Sequence, residues 1–160
     1  MTPADERLFL RHLLATIAYR GAKAVRGAPA SFAAFKASPK SRTPHEILAH
    51  IGDLMAWGRG MVSGEPKWSD GALGTWDEQC ARFHRELAAF DAALQGEAPL
   101  AKEWKRIAQG PLADALQHVG QITMLRRVAG APILGENYFL ANIETGRVGE
   151  DQPPGVKEFE

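Results

Sequence analysis

A single cysteine, Cys80, stands in a chain of 160 residues, which excludes an intramolecular disulfide and any metal site built from several thiolates. No run of about 18 uncharged apolar residues occurs, so no membrane-spanning helix is expected. Charge of one sign is not in surplus either, with 19 basic and 19 acidic residues, whereas a nucleic-acid-binding surface gathers a basic excess on one face. The nearest basic feature, Arg126-Arg127, falls at the end of a predicted helix, where cations also suit the helix dipole. Neither nucleic acid nor a membrane is therefore expected as a partner. Asp5, Glu6, Arg7 and Arg11 interrupt the first apolar stretch, so the start reads as neither signal peptide nor anchor, and a reducing cytoplasm is the expected location.

What is present suits one globular domain over residues 1–160. Apolar residues make up 45% of the chain and charged ones 24%, and folding at this size buries roughly 70% of the unfolded surface without help from a disulfide or structural metal. The helical period dominates. Phe9, Leu10, Leu13, Leu14 and Ile17 form one stripe in a first helix from about Pro3 to Ala24. Gly27 to Arg42 reads as a loop, with Phe32-Ala33-Ala34-Phe35 as an aromatic plug.

Thr43-Pro44-His45-Glu46 starts the second helix, with a capping threonine, a proline in first position and a glutamate in third. Its buried side is Ile47, Leu48, Ile51, Leu54, Met55, Met61 and Val62, and Ser63-Gly64-Glu65-Pro66 ends it. Thr75-Trp76-Asp77-Glu78 repeats the signal for a third helix that carries Cys80, Phe83, Leu87, Phe90 and Leu94 and stops at Gly96. A short helix is read over Leu100–Ala108. Gly110-Pro111 then introduces the fourth long helix, with Leu112, Leu116, Val119, Ile122 and Leu125 on one side and Gly130 and Pro132 closing it. Four amphipathic segments without a convincing strand predict an all-α, four-helix bundle over about Pro3 to Gly130. An irregular tail from Ala131 to Glu160 follows, with Asn137-Tyr138-Phe139-Leu140 and Val148-Gly149 as its docking points.

Bundles build their sites from inward side chains on facing helices. His50 runs in line with Leu54, Trp57 and Met61 at the edge of the core. Asp114 and His118, four apart, project from one helix face in line with Leu125. A carboxylate and an imidazole at that spacing can grip a divalent ion, and His50 would complete a three-ligand site with positions left for water or substrate. The plainer reading is a surface pair or a hydrogen-bonded core histidine. Cys80 and His84 form a competing pair, but Cys80 falls in an apolar stripe and reads as a small hydrophobe. His12 and His45 read as bland, with His45 exposed in a first helical turn. Trp57 is kept as a candidate neighbour of His50; Trp68, Trp76 and Trp104 read as core or rim.

Glu46-Ile47-Leu48-Ala49-His50-Ile51-Gly52-Asp53 and His118-Val119-Gly120-Gln121-Ile122 together resemble the DinB/YfiT-like family of metal-binding four-helix bundles. The likeness covers most of the chain, and the tail from Glu136 to Gln152 is similar to that of a bacterial subgroup. The family shows a histidine on helix two and a His-x-x-x-His pair on helix four, the second followed by Arg-Gly-Gln. By position, the resemblance makes His50 and His118 metal ligands and puts Asp114 in the place of the first helix-four histidine, with Val119 in the place of the arginine. It implies an up-down-down-up order with a long crossover, a homodimer, and a divalent metal, nickel or zinc first and iron or manganese next. The aspartate admits two outcomes, a His/His/carboxylate site or a degenerate one.

The resemblance also implies a metal-dependent enzyme that transfers a small-molecule thiol to an electrophile, with hydrolysis by metal-bound hydroxide as the close variant. The alternative is a non-catalytic bundle that binds a small ligand or a protein partner. The two differ in geometry: an enzyme needs the three side chains converging beneath an open pocket.

Overall fold

The computed structural model describes residues 2–160. It is all-helical apart from one two-residue strand pair, with α1 at Pro3–Val25, α2 at Pro44–Ser63, α3 at Trp76–Leu94, α4 at Trp104–Ile107 and α5 at Ala113–Val128. Each of the first three helices opens on a complete capping box. Thr2, Thr43 and Thr75 accept from the third-residue amides, and Asp5, Glu46 and Glu78 bond back to the cap amides. Two of the four orphan amides at each start are thereby satisfied by residues three apart. Gly64, at φ 94°, ends α2 in the left-handed conformation that a side chain would resist.

The fourth long helix begins earlier than the sequence reading placed it. Helical backbone continues from Trp104 to Val128, and Gly110-Pro111 lies inside it, within a π-helical turn at Ala108–Leu112. A proline in a regular helix loses its hydrogen bond and its ring clashes with the carbonyl four residues back. The widened turn accommodates both within an uninterrupted helix. The short helix read over Leu100–Ala108 is confined to α4, which runs straight into this turn.

α1 and α2 each pack against both α3 and α5. Leu10, Leu14 and Ile17 from α1 meet Leu48, Ile51 and Met55 from α2, Phe83, Leu87 and Phe90 from α3, and Val119 and Ile122 from α5 in one buried core. Each such side chain stabilises by roughly 1.5–3 kcal/mol on burial. Gly58 allows a close approach: a Cβ there would lie 2.5 Å from the Phe90 ring and 3.0 Å from Pro111. Polar ties mark which ends meet. Arg7 donates to the carbonyls of Leu94 and Ala98, and Arg11 pairs with Asp91 at 2.9 Å. Asp53 pairs with Arg82 at 2.6 Å and Arg59 with Glu86 at 3.3 Å. Arg126 donates to the carbonyls of Ala24 and Arg26, so it serves the bundle, not a basic patch.

Phe32 is buried as the expected plug, with Trp76 edge-on to it at 6.0 Å. Phe9 is not in the α1 stripe; it is 44% exposed and lies edge-on to Trp104 at 5.5 Å. Of the expected docking points, Val148 joins the core and Tyr138 packs between Tyr19 and Arg20. Phe139, in contrast, is 93% exposed. Gly135–Glu136 pairs antiparallel with Glu158–Phe159, closing the tail on itself.

The tail is held by a buried carboxylate. Glu136 accepts from Tyr19 Oη and Lys23 Nζ, both at 2.7 Å. Burial alone would raise its pKa, but the bonds from Lys23 and Tyr19 outweigh that and hold it below the usual 4.5. Lys23 stands above its ordinary 10.5, the bonds to Glu136 and Glu158 prevailing over burial. Burial, then the bond to Glu136, raises Tyr19 as well. A carboxylate depressed on folding contributes stability that is present above pH 4.5 and is lost as pH falls through its folded value; the raised lysine and phenol lose theirs above pH 10. Glu136→Gln should therefore cost about 2 kcal/mol near pH 7, and the gap from wild type should narrow below pH 4.5. Urea unfolding at pH 3.5, 5 and 7 measures this; a gap that stays constant would show the carboxylate's charge to be irrelevant.

Candidate metal centre

His50 stands near the middle of α2, and Asp114 and His118 stand one turn apart at the start of α5, just beyond the π-helical turn. The packing of α2 on α5 brings the three together. Asp114 Oδ1 lies 3.4 Å from His118 Nε2 and Oδ2 lies 3.8 Å from His50 Nε2. The imidazole centroids are 4.8 Å apart with the rings nearly perpendicular. One ligand atom from each residue falls within 4.8 Å of the other two, and among the described residues this is the only group of three or more such side chains that could hold a metal ion.

The donor set fits a divalent cation in other respects. His118 Nδ1 is 2.7 Å from Gln121 Oε1; an amide oxygen only accepts, so Nδ1 carries the proton and the Nε2 lone pair faces the cluster. Burial, then His118 and Arg42, lowers the pKa of His50 below 6.5 against the opposing pull of Asp114. It is thus the neutral imidazole, the ligand form, at pH 7. The His118 side chain is 11% exposed and that of Asp114 41%, so the cluster opens to solvent on the aspartate side.

Two tryptophans and a cavity flank it. Trp68, on the loop after α2, lies 5.6 Å from the His50 ring, and Trp57 lies edge-on to Trp68 at 5.8 Å. The loop is tied down by Asp53, which accepts from the amide of Gly71 at 2.9 Å as well as from Arg82. On the other side His118 lines a cavity of about 430 Å³ with Ser41, Arg42, Ile47, Gln121, Met124 and Leu125. The ring beside His50 is thus Trp68, which reads from sequence as core or rim, whereas Trp57, the expected neighbour, packs on Trp68. Gln121 was visible as the i+3 neighbour of His118; Trp68 and Arg42 are on loops and carry no periodic signal.

The competing pair does not assemble into a comparable site. Cys80 is partly buried against the core, and burial, aided by Asp77 and Glu150, pushes its thiol up to about 11. It is therefore protonated at neutral pH and poorly suited to attack or to bind a metal. His84 Nδ1 lies 3.3 Å from the carbonyl of Val148, where it serves the tail. His45 is half-buried, not exposed, with Nε2 3.1 Å from the Leu73 carbonyl. No helix among the described residues is long and apolar enough to cross a membrane. No protein-family model, curated protein or solved structure matches this chain, so the case for its function rests on the His50, Asp114 and His118 cluster itself.

Proposed function

We propose that this chain is a DinB-like metalloprotein in which His50, Asp114 and His118 hold one divalent cation, nickel or zinc before iron or manganese. On this reading it is an enzyme that transfers a small thiol to an electrophile. The observation that carries it is the convergence of three ligand-type atoms within 4.8 Å beside an open cavity. An up-down-down-up bundle belongs to the same reading. In its support, Arg7 at the start of α1 reaches the end of α3, and Arg126 at the end of α5 reaches the end of α1. The pairs Asp53–Arg82 and Arg59–Glu86 advance in the same direction along α2 and α3.

A divalent cation in such a site supplies Lewis acidity that lowers the pKa of a thiol or water. The chain supplies the rest. Gln121 holds His118 in one tautomer, Trp68 and Trp57 cover the His50 side, and the exposed edge at Asp114 leaves a path for a reactant. Hydrolysis is the variant in which water takes the place of the thiol.

One observation favours a second reading, a non-catalytic binding bundle: Asp114 lies 3.4 Å from His118 Nε2 and 3.8 Å from His50 Nε2, close enough to pair directly with either imidazole. Thiol conjugation of monobromobimane, measured with protein loaded with nickel, zinc, iron or manganese, separates the two. The enzyme reading expects a rate above the protein-free blank with at least one metal and none after chelation. Rates equal to the blank with all four metals would remove it and leave the binding bundle.

A further inference from the structure

The cavity beside His118 differs in character from the metal cluster. Its walls include Ile47 on α2 and His118, Gln121, Met124 and Leu125 on α5, and the surface they expose is overwhelmingly apolar. A volume near 430 Å³ falls in the range of small-molecule sites and is too small for a folded partner. Met124, 57% exposed, lines the cavity on its solvent side.

One cation stands at the rim. Arg42, on the loop before α2, lines the cavity and is exposed. Among the described residues no carboxylate lies within 4.0 Å of its guanidinium. Glu46, which feels Arg42 through space, is committed to the α2 capping box, accepting from the amide of Thr43 at 2.7 Å. An apolar chamber with a guanidinium at its edge that makes no ion pair within 4.0 Å is complementary to one kind of molecule. An apolar body fills the chamber and an anionic end pairs with the guanidinium, which binds carboxylates in bidentate fashion.

We propose that this cavity is a binding site for a small anionic amphiphile, its apolar body against Ile47, Met124 and Leu125 and its carboxylate on Arg42. The site deepens the metalloprotein reading, on which it rests only in taking the reactant to lie beside His118. Arg42 and the apolar walls are in place with or without a cation.

The test uses octanoate as the acidic probe and octan-1-ol as its neutral counterpart, with binding followed by calorimetry on the full chain in chelator-stripped and zinc-loaded forms. Octanoate should bind one per chain and about tenfold more tightly than octanol. Arg42→Gln should weaken octanoate about tenfold and leave octanol unchanged. Met124→Glu, at an exposed position that does not threaten the fold, should weaken octanoate as well. These differences should persist in stripped protein, which excludes a carboxylate held by zinc alone. Equal affinity for acid and alcohol, no binding, or an Arg42→Gln variant indistinguishable from wild type would each overturn the proposal. Metal titration without octanoate keeps the two readings apart: zinc binding without octanoate binding sinks the amphiphile site alone, and the reverse sinks the metal site alone.

Discussion

Replacing His118 by alanine should abolish the thermal stabilisation that nickel or zinc confers on the wild-type chain. A ligand that binds only the folded state stabilises by about 2.7 kcal/mol at a hundredfold excess over its Kd. In a domain of this size each kcal/mol moves Tm by roughly 2–4 °C, so the wild-type shift should be about 5–10 °C. The variant loses Nε2, 3.4 Å from Asp114, and leaves His50 and Asp114 as a two-ligand remnant on different helices. Its shift at the same metal concentration should be near zero. Gln121→Ala keeps all three ligands but releases the His118 ring, and should weaken affinity by about 10–100-fold. Asp114→His, which supplies a third imidazole, should strengthen nickel and zinc binding. Acidification acts in a defined direction: His50 titrates below 6.5, so binding should weaken as pH falls beneath that value and its imidazole protonates. Scanning calorimetry of chelator-stripped proteins with added metal decides the matter. Identical shifts for wild type and His118→Ala would mean that the metal binds elsewhere.

Asp53→Ala should be strongly destabilising, costing about 3 kcal/mol and lowering Tm by about 6–12 °C. Asp53 is 7% exposed, and one oxygen accepts both from Arg82 at 2.6 Å and from the Gly71 amide at 2.9 Å. Removing it strands a largely buried guanidinium between α2 and α3 and unfastens the loop that carries Trp68. Breaking one side of a buried pair costs more than the pair contributes, because the remaining charge stays desolvated. Asp53→Asn, which retains an accepting oxygen without the charge, should lose less. Denaturant midpoints for the three proteins provide the measurement. A loss under about 1 kcal/mol for the alanine variant would place the pair with exposed ion pairs, which contribute little.

The parts of this protein legible from sequence are those set by interactions within three or four residues. Thr43 with Glu46 and Thr75 with Glu78 mark the starts of α2 and α3 because both halves of each capping box sit in one turn. The pairing of Asp114 with His118 was equally local, one helical turn spanning them. The stripes on α2 and α3 were readable because burial repeats with the helix period. Residues 43–63 and 75–94 accordingly form the helices that their own spacing demands.

What lay beyond that range depended on the assembled bundle. Gly110-Pro111 carries the local marks of a helix start, yet packing of Pro111 against Gly58 on α2 and the continuity of the backbone placed it inside a π-helical turn. Phe9 fits the α1 stripe by spacing, but its direction puts it over Trp104. Phe139 sits among docking residues and still projects into solvent, because Glu136 and Tyr138 beside it satisfy the bonds and contacts that hold the tail. The cluster of His50, Asp114 and His118 follows the same division. Its residue types and the turn joining Asp114 to His118 were set by sequence, whereas the 4.8 Å approach of His50 to His118 exists only because α2 packs on α5. Trp68 and the cavity walls come from three segments, residues 41–47, 68 and 118–125, that are more than 20 residues apart in the chain. No local rule couples residues at such separations; the shared core that excludes water from α1, α2, α3 and α5 does.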